Sequence, residues 1–209
     1  MEVKELKDKN AEVKILDAAR KIFLEKGLAG ARMQDIANEA CLNKALLHYY
    51  YRSKEKLFQT IFQDELLNFF NNMQEIMNAP ITLFEKIELL VAKEIDTMNS
   101  CPRLPIFIMN ELTQDPDSCL MKMKNMEMHK LYAKFRNEVV AEIEKGTIKK
   151  VNPDHLFLNL LAMTGYPFMA KPVVQGLFEL NEDGYSDFIE QHKKDVSKFI
   201  IDSLIPIPN

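Results

Sequence analysis

Turn-forming residues are scarce in this chain, with six glycines and nine prolines spread over 209 residues. That scarcity argues against an all-β fold, whose many short connections need both residue types. Cysteine is scarce as well. Cys41, Cys101 and Cys119 make an odd number with no C-x-x-C spacing, which argues against a disulfide framework or a zinc site. No run of about 18 apolar residues exists, so no helix is offered to a bilayer and no membrane partner is expected. Residues 1–9 alternate lysine with acidic residues and lack the apolar core of a signal peptide, which points to the cytoplasm. There is no nucleophile set beside a base, no P-loop, and no His/Cys/carboxylate cluster with metal spacing. Gly27-x-x-Gly30 follows a helical stretch, not a strand, and is too short for a dinucleotide fingerprint. The expectation is a protein that is not an enzyme and uses no metal and no cofactor.

What is present favours helices. Leu, Lys, Glu, Ala and Met are plentiful, and all are good helix formers. Hydrophobic residues at 47% and charged residues at 28% are ordinary for a globular chain, so the expected class is all-α. The net charge of -4 is unevenly divided. Residues 1–60 hold 12 Lys/Arg against 9 Asp/Glu, and the remainder holds 15 against 22. The basic excess sits at the N-terminal end, where a phosphate-contacting module would need it.

Periodicity divides the chain into helices. Ile15, Ala18, Ala19, Ile22 and Phe23 share one helical face, which Gly27 ends as a C-cap. A short helix is expected from Met33 to Ala40, and after a three-residue break another from Lys44 to Tyr51. Ser53 suits the N-cap of a fourth helix through Leu57, Ile61, Leu66, Phe70 and Met73. Ala79-Pro80 is the clearest boundary, and Asp115-Pro116-Asp117 and Lys171-Pro172 are further breaks. Asn152-Pro153 is a strong start for a helix that is apolar nearly all round, which predicts one face on the core and one on a partner chain.

The segment Gln34-Asp35-Ile36-Ala37-Asn38-Glu39-Ala40-Cys41-Leu42-Asn43-Lys44 reads as two short helices meeting at a small residue, Ala37. Asn43 caps the second helix, freeing its first residues for a DNA groove. Together with Ile15-Leu16-Asp17-Ala18-Ala19, Phe23-Leu24-Glu25-Lys26-Gly27 and Tyr50-Tyr51-Arg52-Ser53-Lys54-Glu55-Lys56-Leu57, the pattern resembles the TetR family of regulators over roughly residues 12–60. The resemblance implies an all-α chain of about nine helices: an N-terminal three-helix helix-turn-helix domain at 1–56, and a larger ligand-binding and dimerisation domain at 57–209. It implies a homodimer on double-stranded DNA carrying an inverted-repeat operator, most often as a repressor, released by a small-molecule effector. Gln34 and Lys44 match positions that often contact bases. His48, Tyr49 and Tyr50 match the recognition-helix stretch, and Lys54 matches a phosphate-binding lysine. Cys41 stands where the family usually has glycine, at a turn position with left-handed backbone that costs a side chain roughly 1 kcal/mol. Leu46 replaces a phosphate-contacting threonine.

For the effector, Met98, Met109, Met128, Met163 and Tyr166 are the candidates in the larger domain. Flexible thioethers suit a pocket that adapts to apolar ligands, and they suit a plain core equally. His192 lies on an apolar helical face and reads as a packing residue. Gly165, ahead of Tyr166-Pro167, is read either as backbone opened to a pocket or as a simple kink.

Overall fold

A computed structural model describes residues 2–114 and 116–206. Among them are eleven helices and no strand: α1 (Glu2–Gly30), α2 (Met33–Glu39), α3 (Lys44–Tyr50), α4 (Lys54–Asn78), α5 (Leu83–Ser100), α6 (Leu104–Gln114), α7 (Pro116–Asn125), α8 (Met128–Glu144), α9 (Pro153–Met169), α10 (Lys171–Leu177) and α11 (Glu182–Leu204). The chain divides into two compact units, Met1–Leu66 and Leu67–Asn209.

In the first unit the expected apolar stripe of α1 is buried, with Ile15, Ala19, Ile22 and Phe23 packed on Ile36, Ala37, Leu47, Leu57 and Ile61. Gly27 breaks the helical run at φ 68° and ψ 176°, a region open essentially to glycine alone. Two ion pairs lie between α1 and α2: Lys26 to Asp35 at 2.8 Å and Lys21 to Glu39 at 2.7 Å. Both are solvent-exposed, so their role is to set register more than to stabilise. Phe58 of α4 meets Phe23 edge-on at 5.0 Å.

In the second unit α5 packs against α11, α9 and α8. It opens on a capping box, with the Thr82 hydroxyl accepting from Glu85 N and the Glu85 carboxylate accepting from Thr82 N. Leu83, Ile87, Leu90, Val91, Ile95 and Met98 form its buried stripe. The two helices beyond the expected nine are α7 and α10, and proline accounts for both. Pro116 opens α7 and Pro172 lies in the first turn of α10, where a missing N–H costs nothing. The residues that stop one helix therefore start the next.

Pro167 lies inside α9 and cannot donate to the carbonyl of Met163 one turn back. His192 of α11 supplies the missing donor, its Nε2 lying 2.9 Å from that oxygen. The packing histidine on the apolar face thus repairs a helix on its neighbour. Tyr185 continues the repair by donating from its hydroxyl to the Pro167 carbonyl at 3.1 Å, and burial pushes its own pKa up to about 12. Phe188 stacks on both the His192 and Tyr185 rings.

Ionisable side chains are buried in two places. Lys86 of α5, nearly inaccessible, is held by both carboxylate oxygens of Glu138 of α8 at 2.8 Å. Glu94, also of α5, lies beside Thr164 of α9. Glu138→Ala should cost about 2–4 kcal/mol by stranding the Lys86 ammonium, whereas Lys86→Met with Glu138→Leu should be near neutral. Urea denaturation of the single and double variants measures the difference.

Candidate nucleic-acid interface

The turn between α2 and α3 is built by backbone hydrogen bonds. Leu42 N donates to Ala37 O at 2.9 Å and Cys41 N donates to Asn38 O at 3.1 Å. With Cys41 at φ 55°, this is the Schellman pattern, in which a left-handed residue lets the chain fold back over the last helical turn. Ala37 is fully buried at the crossing, and Leu42 packs over the same core. The left-handed backbone expected at Cys41 is present, carried by a residue with a side chain.

Asn43 then takes an extended conformation, and its Oδ1 accepts from Leu46 N at 2.7 Å, capping α3 as expected. Leu47 is fully buried and locks the inner side of α3. The outer side carries Lys44, His48 and Tyr49, all exposed, with Tyr49 at 79%. Tyr50 is half-buried against the small core, its ring edge-on to Tyr49 at 5.4 Å. Gln34 is exposed on α2 and donates to Asn38 Oδ1 at 2.9 Å. Tyr51 packs inside, its hydroxyl donating to Glu12 at 3.2 Å, and burial followed by the charge of Glu12 pushes its pKa up to about 12.

Lys54 has a second occupation. Its ammonium donates to the carbonyls of Leu28 at 2.8 Å and Ala31 at 3.3 Å, tying the start of α4 to the end of α1. The Ser53 hydroxyl accepts from Lys56 N at 3.1 Å and caps α4. Arg52 and Lys56, which are not among the expected contacts, are exposed cations flanking this helix start. Their signal is the Arg-Ser-Lys-Glu-Lys run itself.

The five effector candidates are not gathered together. Met98 is buried, its Cε 3.8 Å from where a Cβ on Gly165 would stand, and Met163 is half-buried. Met128 lines a groove of about 440 Å³ with Leu120, Met123, Lys124, His129 and Tyr132. Met109 and Tyr166 are exposed. Among the described residues no group of three or more His, Cys, Asp or Glu could hold a metal, and no helix is long and apolar enough to cross a membrane.

Residues 15–61 match the family described as bacterial regulatory proteins, tetR family. The fatty acid metabolism regulator protein of Bacillus subtilis is 25% identical over 139 residues, covering 66% of this chain and 71% of its own. The HTH-type transcriptional repressor SCO4008 of Streptomyces coelicolor is 28% identical over 185 residues, covering 86% and 91%. Among solved structures, the transcriptional regulator FadR from Bacillus subtilis in complex with stearoyl-CoA aligns with a TM-score of 0.63 at 17% identity, over 92% of this chain and 98% of that one. The fold is that of the solved regulator, with a helix-turn-helix in the first unit. Residues 15–61 thus form a domain of the tetR family of bacterial regulatory proteins, and the relatives named above are transcriptional regulators.

The turn yields a pair of opposite effects. Cys41→Gly should raise stability by up to about 1 kcal/mol by relieving the left-handed side chain. Asn43→Ala should lower it by about 1 kcal/mol through loss of the cap. Thermal unfolding of both variants beside Cys41→Ala, which should be near neutral, tests the assignment.

Proposed function

We propose that the chain is a homodimeric repressor that binds an inverted-repeat operator and is released by a small-molecule effector. Residues 1–56 read DNA, and residues 57–209 sense the ligand and dimerise. The observation that carries this reading is the outer side of α3, where Lys44, His48 and Tyr49 stand exposed on a capped helix anchored by Leu47. Lys44, with Gln34 from α2, contacts base edges. His48, Tyr49 and Tyr50 contact bases and phosphates, and Asn43 presents the helix that carries them. Lys54 adds a phosphate contact with the N–H left over from its two carbonyl bonds. Of the effector candidates Met98, Met109, Met128, Met163 and Tyr166, the buried Met98 beside Gly165 is the proposed effector contact. The chain acts in the cytoplasm, where its DNA is, as a binding protein and not as an enzyme.

Dimerisation is supported by apolar side chains exposed on α9 and α11. Leu158 is 59% exposed and Phe199 62%, on helices whose other sides are buried. A two-fold pair built on these helices would present two copies of α3 to successive major grooves. Effector binding would bias α4, which begins in the first unit and ends in the second.

Selection of duplexes from a random pool by the purified protein should enrich an inverted repeat, and a folded dimer that enriches nothing would overturn the reading. On the selected operator, Lys44→Ala should weaken binding by roughly 1–3 kcal/mol and leave random duplexes little changed. Lys54→Ala should weaken all duplexes alike and lower the salt slope by about one. Separately, Leu158→Glu with Phe199→Glu should shift the sedimentation coefficient from dimer to monomer.

A further inference from the structure

Glu94 sits in the middle of α5, on the same stripe as Val91 and Met98, and is 2% exposed. Its Oε2 is buried and has no hydrogen-bond partner. Burial pushes its pKa up to about 8, opposed by a hydrogen bond with the Thr164 side chain. The Thr164 hydroxyl also donates to the Leu160 carbonyl at 2.9 Å, so it is shared and not dedicated to the acid. The carboxyl is therefore a neutral acid at pH 7 with one oxygen unmatched in an apolar core.

Three basic side chains on the helices around it are engaged elsewhere. Lys86 of α5 is held by Glu138 of α8, Lys193 of α11 by Asp96 and Glu190, and His192 of α11 bonds the Met163 carbonyl of α9. None of them is among the causes that set the proton affinity of Glu94. Tyr166 of α9 is exposed. The core thus holds an acid and lacks its cation.

The wall beside this acid is soft. Met98, one turn along α5, ends in a thioether methyl 3.8 Å from where a Cβ on Gly165 would stand. Thr164, Gly165 and Pro167 are three poor helix formers within four residues of α9. A flexible side chain facing a glycine can swing aside with little rearrangement.

We propose that Glu94 is the polar anchor of the effector site, and that the effector is an organic amine whose ammonium group binds the Glu94 carboxylate while its apolar body displaces Met98. This rests on the reading of the chain as a ligand-responsive regulator. An ammonium supplies the missing charge and donors for both Oε2 and the Thr164 oxygen lone pairs. Binding transfers the Glu94 proton to solvent, because the anchor must be ionised. Affinity then falls about tenfold per pH unit below 8 and levels off above it, while the amine stays protonated to about pH 10.

Calorimetric titration of the full chain with decylammonium, decanol and decanoate, each below its aggregation concentration, tests this. At pH 8.5 decylammonium should bind at least tenfold tighter than decanol, and decanoate more weakly than either. Between pH 8.5 and 6.5 decylammonium affinity should drop about twentyfold while decanol affinity stays level. In Glu94→Gln the preference for the amine should vanish with decanol binding retained. Equal binding of the three probes, an amine affinity flat in pH, or a preference that survives the substitution would overturn the proposal. The pH arm uses the unaltered chain and stands even if the variant fails to fold. Failure of the regulator reading would appear instead in the duplex selection.

Discussion

The reading head depends on one backbone constraint: α2 must end after seven residues and its chain must reverse direction at once. Four carbonyls at a helix end need donors, and the reversal provides two through Cys41 N and Leu42 N. That closure demands a left-handed residue at 41 and a small residue at 37, where the returning chain crosses the helix. Everything downstream inherits the geometry. Asn43 is placed in extended backbone where its side chain can cap α3, and Leu47 is aimed into the core. Lys44, His48 and Tyr49 are left outside because Leu47 is inside. A side chain at position 41 is tolerated because the two hydrogen bonds it permits outweigh a strain of roughly 1 kcal/mol.

The features legible in the sequence are those that local chemistry decides. Gly27, Asn43, Ser53 and Asn152 act within three residues of themselves, so their roles as stop or cap can be read directly. The same locality explains the two helices beyond the expected count. Proline ends one helix and begins another with equal ease, and only tertiary packing decides between a loop and a new helix after it. Long-range partners are out of reach. Periodicity says which face of α5 is buried but not which helix faces it, so neither Lys86 against Glu138 nor Glu94 beside Thr164 could be read. A glutamate in step with Val91 and Met98 is the visible sign of the second.

The interface residues show the same division. That α3 would expose polar tips is a matter of its spacing, but the carbonyls that occupy Lys54 lie 23 and 26 residues away in the chain. Methionine richness marks the larger domain without gathering its members. Met98 and Met128 lie in separate surroundings, and Met109 is exposed. Composition reports how adaptable a domain is, whereas a site requires particular helices to meet.

α9 is where the demands on the second unit converge. It buries Leu156, Leu160 and Phe168 on the core, exposes Leu158 and Tyr166, and carries a glycine and a proline in its second half. Its helical form is kept by a donor from another helix, His192, so its hydrogen bonding is a property of the α9–α11 pair and not of α9 alone. At that turn the helix depends on its neighbour, because the donor that Pro167 lacks comes from α11. The thermodynamic demand on any effector is a difference in affinity between two states, and tight binding alone supplies none. A buried acid that is neutral when the core is closed meets that demand, because it becomes a strong partner only when a cation enters and the surrounding packing changes. The instability that Glu94 brings to the closed core is then the source of the difference between the two states.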